Sequence, residues 1–368
     1  MKIIINWIVA ITTPVLLCSS GGEYAAEAMA GGRRVARAEL ADGRYIEGAE
    51  LADGRDVERA ELVMGTVARV ALPASIASVE RFTAAFAAFR DVDDAMSLYR
   101  PASELSRVNA RAAESPEPVD DALFALLSRA RDLAVESDGA FDVTILPLLR
   151  LWGAYPGLAS LPPGSVTAVG ASGLRLDPRA RTVSFARRGM GIDLGGIAKG
   201  FALDRARAAL AAEGVARARL DLGGQLAFVG GDPAGWRVAV RDPEEPGRTL
   251  GVLTLDAGAS VSTSGNYARD FAAEGWRARS HIYDPRTGRP VTRDVAVTAW
   301  TPDATTADAL STALVVLGRD GAADLLAREP SAGALFSEGR GAGRRLTIVG
   351  RPPRDWTVIE GERAVAGL

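Results

Sequence analysis

The chain has 368 residues, 48% of them hydrophobic and 24% charged, with a formal net charge of −3. Those values are globular and exclude wholesale disorder, and the lack of a basic excess excludes nucleic acid as the main partner. One cysteine, Cys18, and one histidine, His281, exclude an intrachain disulfide, a Cys-built zinc or iron–sulfur centre and any multi-His metal site.

Residues 1–18 read as a leader. Lys2 precedes an almost uncharged stretch from Ile3 to Leu17, the length of a secretory apolar region and short for a membrane span. Cys18 follows directly, as in a bacterial lipobox, although Leu17 stands where a small residue is usual. The leader predicts an exported protein on the periplasmic side of a bacterial membrane, with Cys18 as a lipid anchor. Residues 19–60 read as a repetitive tether: Ala38-Glu39-Leu40-Ala41-Asp42-Gly43-Arg44 recurs as Ala49-Glu50-Leu51-Ala52-Asp53-Gly54-Arg55, and Ala60-Glu61-Leu62 begins a third copy. Asp-Gly between apolar flanks favours hairpin turns, so a small β-ribbon added to the first strand is the other option. Residues 61–368 are the expected catalytic body.

Along that body, 63–72 reads as a strand containing Met64-Gly65-Thr66. Residues 75–96 read as a helix with Phe82, Phe86 and Phe89 at helical spacing, and 118–137 as a second helix ending in a tight turn at 138–142. Strands are expected at 173–177 and 181–186. The Gly-rich turn Asp193-Leu194-Gly195-Gly196 leads into a helix from 198 to 213. Strand-like runs follow at 218–230, 235–241, 250–256 and 259–264. A strand with a Pro/Gly turn is expected at 280–291, a strand at 295–300, a helix at 306–317, and short strands finish the chain. Hairpin-like runs dominate and helices fall irregularly among them. The expected fold class is α+β, with mixed, largely antiparallel sheets, interspersed helices and a single large catalytic body.

Three features carry chemistry. A Gly-rich bend entering a helix offers unpaired N–H groups and a positive dipole end, which suit a phosphate or pyrophosphate. Only two of the 43 basic residues are lysine, and one of them, Lys199, sits in that first turn. The segment lacks the Gly-Lys-Ser/Thr order of a Walker A loop, and Gly189, Gly191 and Gly195 miss the dinucleotide spacing. Asp308 and Thr312 lie four apart on an expected helix and share a face, where their hard oxygens suit Mg²⁺; Asp308 complementing the helix dipole is the structural alternative. His281 stands just before the Pro/Gly turn and could act as a general base, with Asp284 in reserve.

Seven segments then occur in a telling order: Met64-Gly65-Thr66, 139–142, 193–200, Leu222-Gly223-Gly224, Thr263-Ser264-Gly265-Asn266-Tyr267, 281–288 and 307–313. Together, over residues 61–350, they resemble the ApbE-type FAD:protein FMN transferases. The resemblance implies a Mg²⁺-dependent exported enzyme that splits FAD at its pyrophosphate, releases AMP and attaches FMN by a phosphodiester to a Thr of a partner protein. It implies an exported or membrane redox acceptor presenting that Thr in a Ser/Thr-Gly-Ala-Ser/Thr stretch. It also implies that the carbonyl of Ala198 with Asp308 and Thr312 holds the metal. Met64, Tyr99, Ala140, Phe141, Asp142, Gly195, Lys199, Phe201, His281 and Ile282 would line the FAD site. Lys199 and His281 are the expected catalytic pair. Asn266 stands where the family often carries an acid. An FAD pyrophosphatase giving FMN and AMP, or a non-catalytic flavin-binding lipoprotein, are the alternatives.

Overall fold

The computed structural model describes residues 26–30, 33–39, 45–50, 56–154, 168–245, 248–266, 280–359 and 364–366. The leader with Cys18, the Asp-Gly pairs at 42–43 and 53–54, and Tyr267 lie outside the described residues. Strands β1 (Ala26–Ala30), β2 (Arg33–Glu39) and β3 (Tyr45–Glu50) pair antiparallel in sequence order, and β3 pairs with β4 (Asp56–Val63). β4 forms a hairpin with β5 (Thr66–Pro73), Val63 opposite Thr66. Met64 and Gly65 are therefore the two-residue turn, both at positive φ (52° and 70°), and not part of the strand expected at 63–72. A turn of that kind matches the right-handed twist of its strands.

Helix α1 (Val79–Met96) is capped by Ser78 and buries Phe82, Phe86 and Phe89, the expected stripe. The short α2 (Glu104–Arg111), capped by Ser103, was not anticipated; its only fully buried positions are Leu105 and Val108, too few to signal a period. β6 (Glu117–Pro118) precedes α3 (Asp121–Glu136), which Asp120 caps. α4 (Leu146–Leu151), β7 (Leu174–Asp177) and β8 (Thr182–Phe185) follow, with β8 between β6 and β7 in a small sheet.

After α5 (Ala198–Ala212), the run expected at 218–230 divides into β9 (Ala218–Leu222) and β10 (Gln225–Val229) around a Gly223-Gly224 turn. Both glycines have positive φ, and a Cβ on Gly223 would collide with Thr66. β11 (Trp236–Arg241), β12 (Thr249–Leu255) and β13 (Ser260–Gly265) come next, then the minimal hairpin β14 (Tyr283–Asp284) and β15 (Arg289–Pro290). β16 (Val295–Thr301), α6 (Ala304–Arg328), β17 (Gly333–Glu338), β18 (Arg345–Gly350), β19 (Asp355–Val358) and β20 (Ala364–Ala366) complete the order. α6 runs beyond the expected 317 because its break at Gly318 (φ 71°) is bridged: Arg293 donates to the carbonyls of Val315 and Val316 there, and the chain resumes as helix.

The main sheet has twelve strands in the order β1-β2-β3-β4-β5-β9-β10-β13-β16-β17-β18-β20, antiparallel throughout except for β18 with β20. This is the mixed, largely antiparallel α+β body expected. Alternation sorts its two faces. Ala227, Val297 and Ala299 point into the core shared with α1, α3, α5 and α6, whereas Phe228, Val261, Trp300 and Leu335 point to a second core under the β11-β12-β19 sheet. On the same rule Gln225 faces with Ala227, and Ser262 and Ser264 alternate with Val261, so all three are delivered to the helical side.

Candidate active site

The bend before α5 is held from behind. Asn109 of α2 donates Nδ2–H to the Ile192 carbonyl (2.9 Å) and accepts from the Ile192 N–H (2.7 Å), as a strand neighbour would. Met190, Ile192 and Leu194 are buried anchors. The Asp193 carboxylate accepts the Gly195 N–H (2.9 Å), and Ala198 N–H reaches the Leu194 carbonyl (2.8 Å). Ile197, at the cap position of α5, offers no side-chain acceptor. The amides of Gly196 and Lys199 have no acceptor among the described residues. Lys199 folds over the bend, its Nζ 3.1 Å from the Gly195 carbonyl.

α6 runs antiparallel beside this end. Gly200 N–H donates to Asp308 Oδ2 (3.0 Å), while Asp204 of α5 accepts from the N–H groups of Ala304 and Thr305 (3.1 and 2.8 Å). A Cβ on Gly200 would collide with the Ala304 carbonyl, so only glycine permits this approach. A Cβ on Gly196 would lie 3.3 Å from Thr312 Oγ1 and 3.4 Å from the Phe141 ring. Ala198 is buried between Gly196 and Gly200, the two glycines that approach Thr312 and Asp308. β13 backs the pair with hydroxyls. Ser262 Oγ is 3.1 Å and Ser264 Oγ 2.7 Å from Ser311 Oγ, and Ser264 Oγ is 3.3 Å from Thr312 Oγ1. Gln225 Nε2 donates to Asp308 Oδ1 at 2.8 Å.

His281 opens a short strap. Ser280 Oγ accepts the Ile282 N–H (3.0 Å), and Val291 N–H closes on the Ile282 carbonyl (2.8 Å). Asn266 pins the far side, its Nδ2 donating to the carbonyls of Val291 (2.8 Å) and Arg293 (3.3 Å). A carboxylate in that place could not donate, which gives the amide at 266 a physical reason. Trp152 Nε1–H donates to the Gly288 carbonyl (3.0 Å), and burial pushes the Tyr283 phenol up to about 12. His281 itself is exposed at the head of this strap. Desolvation, then the Lys199 ammonium, hold it below the ordinary 6.5. Asp284 is taken by Arg286 in a two-pronged ion pair, both contacts 2.9 Å, which removes it as the reserve base.

The remaining sequence-derived residues fall into three kinds. Ala140, Phe141 and Ile282 are buried walls, and Phe201 is half-buried on α5. Tyr99 is exposed, and its phenol is raised by desolvation and then by the Asp193 charge. Met64 sits in the β4–β5 turn next to Gly223 through Thr66. Asp142 is committed to structure: it accepts from Thr144 N–H (2.8 Å), Thr144 Oγ1 (2.7 Å) and Ala171 N–H (2.7 Å), although burial still raises its carboxyl. Sequence reasoning missed Gln225, Ser262, Ser264, Asp204 and Asn109. The first three had a weak signal, since each is a polar residue on the apolar period of a strand.

The donor chemistry fits a hard dication. Asp308 is 1% exposed, yet its carboxylate has no cationic side chain as partner among the described residues, only Gly200 N–H, Gln225 and Ser262. The Gln225 Oε1 is likewise buried without a donor among the described residues. No cluster of three or more His, Cys, Asp or Glu occurs among the described residues, so the available ligands are one carboxylate, a hydroxyl and carbonyl oxygens. That set suits Mg²⁺ better than zinc or copper.

Comparison with known proteins agrees with this arrangement. The ApbE family profile matches residues 64–336. A protein of Treponema pallidum (strain Nichols) named FAD:protein FMN transferase is 35% identical over 300 residues, covering 74% of this chain and 82% of the relative. One of the same name from Salmonella typhimurium is 33% identical over 266 residues, covering 68% and 75%. Among solved structures, the ApbE protein of Thermotoga maritima superposes with a TM-score of 0.67 at 30% identity, covering 77% of this chain and 94% of that one. The flavin transferase ApbE of Vibrio cholerae gives 0.68 at 27%, covering 80% and 97%. Matched over most of its described body in sequence and in structure, the chain belongs to the ApbE family.

Proposed function

We propose that this chain is a Mg²⁺-dependent FAD:protein FMN transferase that moves FMN from FAD to a Thr hydroxyl of an exported or membrane redox protein and releases AMP. The observation that carries the reading is the close approach of the uncapped α5 bend to the Asp308–Thr312 face, with Lys199 folded over that bend and its charge felt at His281. A pyrophosphate repels nucleophiles by its charge, so attack on it needs that charge offset. The free amides of Gly196 and Lys199, the α5 dipole and the Lys199 ammonium supply a positive seat. The Ala198 carbonyl, Asp308 and Thr312 would hold the metal, which would supply further positive charge at that seat.

The acceptor hydroxyl is a weak nucleophile at neutral pH. Desolvation and the Lys199 ammonium hold the His281 imidazole below its ordinary 6.5, which favours its neutral form to take the hydroxyl proton as the acceptor oxygen bonds to the FMN phosphorus. The bond from that phosphorus to the bridging oxygen breaks, and AMP leaves with the bridging oxygen. Tyr99 and Phe141 would flank the flavin nucleotide, and Met64, Ala140, Phe201 and Ile282 would close its walls. The leader and Cys18 support an address on the periplasmic face, with lipid attachment as an anchor. A Thr in a Ser/Thr-Gly-Ala-Ser/Thr stretch is the acceptor this reading names.

The test is to incubate the protein with FAD, Mg²⁺ and an acceptor carrying that stretch, and to weigh the acceptor. A gain of one FMN that disappears when the Thr is replaced supports the reading. FMN and AMP formed at the same rate with and without acceptor would replace it by a pyrophosphatase, and tight FAD binding without cleavage would replace it by a carrier.

A further inference from the structure

Gln225 does more than support its neighbour. It is the first residue of β10, set by the Gly223-Gly224 turn and turned to the helical layer by strand alternation. It is 6% exposed. Its amide orientation is not arbitrary. Asp308 Oδ1 lies 2.8 Å from one end of it, and an ionised carboxylate only accepts, so that end must be the NH₂. The Oε1 is then forced to the other side, where it is buried and meets no donor among the described residues. A buried acceptor left in this state is costly unless something absent from the polypeptide satisfies it.

Nearby protein groups do not serve. Ser262 Oγ is directed at Asp308 and Ser311, and the Gly200 N–H is committed to Asp308 Oδ2. No Lys or Arg bonds to Gln225 or Asp308 among the described residues. The unanswered groups in this pocket are thus a carboxylate without a counter-charge and an amide oxygen without a donor, one amide width apart. A hard cation answers both.

We infer that the Oε1 of Gln225 is a further oxygen donor to the divalent cation held by Ala198, Asp308 and Thr312, so that the ion is gripped from β10 as well as from α5 and α6. The inference rests on the reading of Asp308 and Thr312 as cation ligands. It carries a consequence for charge. One carboxylate with neutral oxygens leaves a bound dication with positive charge to spare for a diphosphate. A second carboxylate at 225 would use that charge up.

The experiment measures Mn²⁺ binding to the full chain by the paramagnetic resonance of the free ion, with and without ADP as a diphosphate probe. Wild type, Asp308→Ala, Gln225→Met, Gln225→Leu and Gln225→Glu are compared. Methionine keeps the side-chain length if leucine fails to fold. The expected result is binding by wild type, a loss on the order of 10–100-fold in Gln225→Met or Gln225→Leu, and Mn²⁺ held at least as tightly as wild type in Gln225→Glu, with the enhancement by ADP reduced. If Gln225 only orients Asp308 through its N–H, Gln225→Glu loses that donor and binds as poorly as Gln225→Met, which overturns the inference while wild type still binds. If wild type and Asp308→Ala bind alike, the underlying cation reading falls instead.

Discussion

Two helix N-termini lie side by side in this protein and are finished in opposite ways. At α6, Asp303 accepts the Thr306 N–H (2.6 Å) and Asp204 takes the amides of Ala304 and Thr305 together with the Thr305 hydroxyl. Arg207, three residues along α5, balances Asp204 at 2.6 Å. That end is closed and its charge is compensated. At α5, among the described residues, Ile197 caps nothing, two amides are open, and Asp308, which reaches over from α6, is bonded only by neutral donors. Both ends exchange an acid with the neighbouring helix, yet only one exchange is completed with an arginine. The completed one builds the fold. The incomplete one leaves a negative group and a positive dipole end facing each other, which is what a cation and a diphosphate together would fill.

The contrast predicts unequal damage. Asp308→Ala, or chelation of divalent ions, should reduce FMN transfer to the background rate, measured as acceptor mass gain. His281→Ala should slow the chemical step by on the order of 10²–10⁴-fold with the fold unchanged, seen in single-turnover AMP release. Asn266→Asp should lower stability by roughly 1–3 kcal/mol in denaturant unfolding, because it trades two donated bonds for acceptors facing carbonyls. Transfer should fall with it, since the strap bearing His281 is released. Asp204→Ala, at the closed end, should cost about 1 kcal/mol of stability yet leave Mn²⁺ affinity near wild type; a matching loss of affinity would erase the distinction between the ends.

The smallest expected effect is on pH. Desolvation and Lys199 both lower the imidazole, so it stays neutral below 6.5 and the acid limb of kcat should lie on that side. Lys199→Met removes one of the two causes, and the limb should move upward. A limb that stays put in Lys199→Met would separate His281 from the lysine.

Much of the site was legible because its parts are local. Asp308 and Thr312 share a face by helical spacing, and the bend at 193–196 announces itself by its glycines. Met64-Gly65 was misplaced inside a strand because a two-residue turn with flanking Val and Thr leaves the apolar pattern intact. Gln225 and Asp204 were out of reach for a different reason. Their partners lie 83 and about 100 residues away, and only the antiparallel approach of α5 and α6, made close by Gly200, creates those contacts. Asn109 likewise works through one loop fixed by burial of Ile192, which no spacing encodes.

The most direct test is a crystal of the protein with FAD and Mn²⁺, read by anomalous scattering. One strong manganese peak is expected, enclosed by the Ala198 carbonyl, Asp308 and Thr312, with the FAD pyrophosphate seated on the α5 bend. Manganese elsewhere, or a pyrophosphate bound away from Gly196 and Lys199, would contradict it.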